Sequence, residues 1–93
     1  MEKEITEQKL DGYFKISETA FEIIKKKIAK GRNKEAKEII EMAANYISDA
    51  HHFKKEGNFV NAFAALNYAH GWIDSGARLG IFDVHDGKLF TVK

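Results

Sequence analysis

Ninety-three residues without cysteine or proline, with fifteen basic and fourteen acidic side chains and a net charge of +1, leave room for one small domain. This composition excludes disulfide staples and thiolate metal sites, and the charge balance removes the broad electrostatic case for a nucleic-acid or membrane-surface protein. No apolar leader follows Met1-Glu2-Lys3-Glu4, and the most apolar stretch, Phe59 to Phe82, is interrupted by Asn61, Asn67, His70, Asp74 and Arg78, so a cytoplasmic protein without a membrane span is expected.

In the first segment Leu10, Tyr13, Ile16, Ala20, Phe21, Ile24 and Ile28 recur at steps of three and four with charged residues between them. That spacing predicts an amphipathic first helix over about residues 4–30, stopping before Gly31 and weakened near its start by Gly12. Asn33 is placed to cap a second helix over about 34–56, whose apolar stripe reads Ala36, Ile40, Ala43, Ile47, Ala50 and Phe53. Gly57 ends it and Asn58 opens the third, over about 58–79, so a two-residue turn folds the pair into an antiparallel αα-hairpin. The third helix carries Phe59, Ala62, Phe63, Leu66, Ala69, Ile73, Ala77 and Gly80 on one stripe. Ala64, Ala65, Tyr68 and Trp72 lie off it, so the helix is apolar nearly all round and is expected to be covered on more than one side. In the tail, 81–93, Phe82 and Val84 and then Phe90 and Val92 flank Asp86-Gly87, the favoured pair for a two-residue hairpin turn. The expected architecture is all-α: an antiparallel three-helix bundle with a short C-terminal extension that is either a β-hairpin or an irregular tail.

The run from Asn67 to Phe82, with Ser48-Asp49-Ala50, Lys55-Glu56-Gly57-Asn58 and Lys88-Leu89-Phe90-Thr91-Val92, resembles the signature of a family of short archaeal proteins, domain of unknown function 357. The likeness covers most of the chain from about Ala36 onward, and the first helix matches in amphipathic character only. It implies a helical bundle from an archaeal cytoplasm and assigns no activity or catalytic residue. Ala50, Phe53, Gly57, Ala62, Leu66 and Ala69 also fall at the spacing of a tetratricopeptide helix pair, but one such unit stands where stable arrays need about three, so it reads as close helix packing.

Three groups are candidates for function. On the hairpin, residues of the second and third helices at equal height pair Asn45 with His70, Glu41 with Asp74 and Asp49 with Leu66. Asn45, Asp49, Asn67, His70 and Asp74 are therefore candidates for a polar network, with a partner surface or a weak metal site as alternatives. His70 and Asp74 alone are two ligands where a zinc site takes three or four, so no metal is expected. The paired His51-His52 point about 100° apart on a helix and read as surface residues near its C-terminus. Secondly, Lys26, Lys27, Lys30, Arg32 and Lys34 cluster around the turn between the first two helices. They are anion-binding candidates, without an aromatic residue to stack a base. Thirdly, Tyr68, Trp72, Asp74, Arg78 and Phe82 are candidates for a partner contact, with the aromatics supplying area and the charges orientation.

Arg78 and His85 are the residue types of helical ribonucleases of the HEPN class, but six residues and Gly80 separate them. No nucleophile, phosphate loop or cofactor motif is present, so no enzyme and no cofactor is expected. The leading expectation is a non-enzymatic interaction or self-association module, a homodimer or a complex with a protein partner; an RNA- or anion-binding protein acting through Lys25–Lys37 is the alternative.

Overall fold

The computed structural model describes residues 5–90, which hold three helices: α1 (Glu7–Lys25), α2 (Asn33–Lys55) and α3 (Phe59–Arg78). The fold is the expected all-α three-helix bundle. α3 makes its largest contact with α2 and its second with α1, while α1 and α2 touch least. The Cα envelope is 43 × 24 × 16 Å. Packed helices lie about 8–10 Å apart, so the thin dimension holds two layers at most, and the central helix keeps one face toward solvent.

The helix ends have local causes. Thr6 Oγ1 accepts from the Lys9 amide at 3.1 Å to start α1, and Asn58 Oδ1 accepts from the Asn61 amide at 3.2 Å to start α3. Gly57, at φ 77°, closes α2 in a Schellman motif: its amide donates to the Lys54 carbonyl at 2.9 Å and the Asn58 amide to Phe53 at 2.8 Å. Gly80, at φ 76°, repeats this after α3, with its amide on Ala77 at 3.2 Å and the Ile81 amide on Gly76 at 2.9 Å. α2 departs from expectation at its start. Arg32, not Asn33, occupies the cap position and makes no side-chain cap bond; its Nε instead donates to Glu35 Oε2 at 2.9 Å.

Three further expectations are corrected. α1 ends at Lys25, not near residue 30, and the segment after it is drawn into a single backbone bridge with the tail. The Ala29 amide donates to the Ile81 carbonyl at 2.9 Å and the Asp83 amide to the Lys27 carbonyl at 2.7 Å, around an antiparallel Ile28–Phe82 bridge. The expected start near residue 4 lies outside the described residues. The buried face of α1 is Leu10, Phe14, Ser17, Ala20 and Ile24, while Tyr13 and Ile16, expected in the core, are exposed. On α2 the buried set contains Ile39 where Ile40 was expected.

No hairpin forms in the described tail. Asp86 Oδ1 accepts from the Lys88 amide at 2.8 Å, and its carbonyl accepts from Phe90 at 3.0 Å and Leu89 at 3.3 Å. The side chain thus satisfies the turn locally and winds Asp86–Phe90 into a single helical turn. Phe90 is buried by this turn, and Val92 lies outside the described residues. His70 Nε2 donates to the Leu89 carbonyl at 2.9 Å and so ties the turn to α3.

Candidate functional site

The inner face of α3 is small and tight. Ala62, Ala65, Leu66, Ala69, Ile73, Gly76 and Ala77 are buried. After the Gly80 turn the chain folds back so that Phe82 lies on Gly76, where a Cβ would stand 2.4 Å from Phe82 Cε2. Phe82 is thereby 1% exposed and among the largest fully buried side chains. Its expected role as a partner contact is corrected: it belongs to the chain's own core.

The outer face of α3 is apolar and open. Val60, Tyr68 and Leu79 are 62, 64 and 66% exposed, and Trp72 is 37% exposed. Ala64, Asn67, Gly71 and Ser75 lie exposed among them. Shallow depressions run along this strip, one lined by Asn67, Tyr68, Gly71, Trp72 and Ser75 and a second by Ala64, Asn67 and Tyr68. The Tyr68 ring is held from one side by the Tyr46 ring of α2, stacked at 5.4 Å. Exposed helix faces are ordinarily charged, so this mostly apolar strip, with Asn67 and Ser75 within it, is the candidate contact surface.

The five polar-network candidates do not converge between α2 and α3. Asn45, Asp49 and Asn67 are exposed. His70 and Asp74 turn toward α1 and with Asn67 line a groove shared with Tyr13, Ile16 and Ser17. Their Nε2 and Oδ1 atoms are 3.5 Å apart and both side chains are about a quarter exposed. The hairpin register is the one the turn predicts, with Tyr46 stacked on Tyr68, but the faces differ: a network needs Asn45 and Asp49 to point inward, and Ala43, Ile47 and Ala50 fill that side. Asp74 therefore faces the α1 groove, away from the outer strip, and of the expected pair only Arg78 stands exposed at the strip's end. Among the described residues no group of three or more histidine or acidic side chains is arranged to hold a metal ion.

The histidine pair separates as its helical positions dictate. His51 reaches Glu18 of α1 at 3.1 Å and lies tilted against the Phe14 ring with centroids 4.4 Å apart, while His52 lies 3.4 Å from Glu56. His51 is thus an α1–α2 contact that the sequence did not reveal. Lys26, Lys27, Lys30 and Lys34 are exposed around the α1–α2 connection, and Arg32 is paired with Glu35. The fold adds a member invisible in the linear cluster. Arg78 and Lys30 line one cleft with Gly80, Asp83 and His85, where His85 Nε2 is 2.8 Å from Asp83 Oδ1. Of the described residues, no helix is long and apolar enough to cross a membrane.

The family model of the proteins of unknown function DUF357 matches residues 12–82, more than three quarters of the chain. The chain belongs to this family. The match includes most of α1 and the α1–α2 connection, which the likeness from Ala36 onward had left out. It ends at Phe82, short of the Lys88–Val92 segment. The matched region therefore runs from within α1 to the end of α3 and the turn beyond it, and it ends on the residue that packs over Gly76 in this chain. No curated protein and no solved structure matches the chain.

Proposed function

We propose that this protein is a non-enzymatic contact module of the cytoplasm that pairs with another protein chain, in the first place a second copy of itself, through the outer face of α3. The observation that carries this reading is the exposed strip from Val60 to Leu79, whose one formal charge is Arg78 at its end, on a protein whose residues are 31% charged. Water-facing apolar area of this kind gains free energy when covered, at about 25 cal/mol per Å². A strip with a single charge at one end meets an antiparallel copy with the two charges at opposite ends, and offers little that selects an oppositely charged partner.

Sedimentation or light scattering over a concentration series tests this. The unaltered chain should move from monomer toward dimer as concentration rises, and Trp72→Glu should hold it monomeric with its helical circular dichroism intact. A parent chain that stays monomeric into the millimolar range would refute the reading.

One observation favours a second reading, contact with the phosphate groups of RNA. Lys30 and Arg78, far apart in sequence, share a cleft at the end of the bundle where Lys26, Lys27 and Lys34 are also exposed. Such a set would hold backbone phosphates without reading bases. Fluorescence anisotropy with mixed-sequence RNA at low salt should then show binding that weakens with salt, and less steeply after Arg78→Ala. A flat titration sinks it.

A further inference from the structure

Gly71 sits in the middle of the exposed strip without an intramolecular reason for being glycine. A Cβ built on it meets nothing within 4 Å, and it is not among the glycines of positive φ. We infer that two copies of the chain pack α3 against α3 in antiparallel fashion, about a two-fold axis level with the midpoint between Ala69 and His70, so that Gly71 of each copy seats Tyr68 of the other. This rests on the self-association reading above and gives it a geometry.

The evidence is the order of side chains along the strip. In an antiparallel helix pair, residues equidistant from the two-fold axis share a layer. Around this midpoint Tyr68 falls level with Gly71 of the second copy, Asn67 with Trp72, Ala64 with Ser75, and Val60 with Leu79. Each aromatic ring meets a smaller residue, the two small residues meet each other, and the exposed aliphatic side chains close the ends. Ridges on one helix therefore fall where the other has a groove, the condition for close helix packing. A parallel pair in register would set Tyr68 on Tyr68, Trp72 on Trp72 and Gly71 on Gly71, crowding two layers and emptying a third. It would also align the helix dipoles, which the antiparallel pair opposes.

The size of the contact fixes its strength. A 20-residue helix is about 30 Å long and about 10–12 Å across with its side chains, so a contact along it hides on the order of 300–400 Å² per copy. The total of about 600–800 Å² lies well below the standard range of specific interfaces, so the pair is weak and concentration-dependent.

The chain has no cysteine, so single introduced thiols report the geometry directly. Val60→Cys and Leu79→Cys chains, one of them isotope-labelled, are mixed and treated with a short bis-maleimide. The antiparallel pair should yield cross-links between the two variants and almost none within either alone, because like positions lie about 28 Å apart by helix rise. Efficient Val60→Cys homodimers would overturn the register while leaving self-association standing. Absence of any dimer of the unaltered chain in sedimentation would overturn both. As a second arm, Gly71→Leu fills the seat of Tyr68 and should weaken dimerisation at least tenfold while the thermal transition of the monomer holds or rises. An unchanged dimer in that variant also defeats the register.

Discussion

Gly71 and Gly76 lie five residues apart on α3 and do opposite things. At Gly76 a single added carbon would stand 2.4 Å from Phe82, whereas at Gly71 it would stand in open space. Glycine inside a helix costs about 1 kcal/mol against alanine, so each needs an offset. For Gly76 the offset is visible in the same chain, as the ring of Phe82 seated against the backbone. For Gly71 nothing in the monomer supplies one. The inner face of α3 is thus covered within one chain, while the outer face stands open.

The largest expected effect falls on the complete side. Phe82→Ala empties the seat over Gly76 and should lower stability by about 3–5 kcal/mol, a large part of the total for a domain of this size, measured by urea unfolding. Gly76→Ala forces the Phe82 ring outward and should cost about 1–3 kcal/mol. In a Phe82→Ala background that penalty should largely vanish, and a double-mutant cycle with additive energies would mean that the two positions do not act as one contact. His70→Ala removes the donor to the Leu89 carbonyl and should cost about 1 kcal/mol, with faster amide exchange confined to Asp86–Phe90; uniform loss of protection would argue against a local latch.

Gly71→Ala sharpens the comparison because its sign reverses. It should stabilise the monomer by about 0.5–1 kcal/mol in thermal unfolding at low concentration, and destabilisation would mean that the site is not open.

The smallest effect lies at the far end of the bundle. Lys54 Nζ donates to Asp11 Oδ1 at 2.6 Å, and this bond, with the Asp11 and Glu7 charges outweighing desolvation, holds the ammonium above its ordinary value of 10.5. A raised lysine adds stability that is complete below that value and is lost as pH climbs through the folded-state titration. Asp11→Asn should therefore lower the melting point slightly at neutral pH, by a margin that closes in strongly alkaline solution.

Much of this was readable from residue order. The turns at Gly57 and Gly80 and the α2–α3 pairing follow from local chemistry, because a glycine of positive φ and an Asn cap need no distant neighbour. The face of α1 was not readable. Tyr13 and Ile16 offer as much apolar character as Phe14 and Ser17, and only the contact with α2 and α3 selects the second pair. The expected polar network failed for a related reason: height along a hairpin follows from the turn, but rotation about the helix axis is set by whichever stripe the core takes.

The sequence by itself determined an all-α chain of three helices, the breaks after α2 and α3, and a third helix too apolar for a solvated surface. The tertiary structure decided where α1 stops, because Lys27 and Ala29 exchange backbone bonds with Asp83 and Ile81. It also decided that Phe82 belongs inside while Tyr68 and Trp72 do not. Hydrophobicity counts how much surface should be covered, and only the close approach of Gly76 to Phe82 shows which part the chain can cover alone.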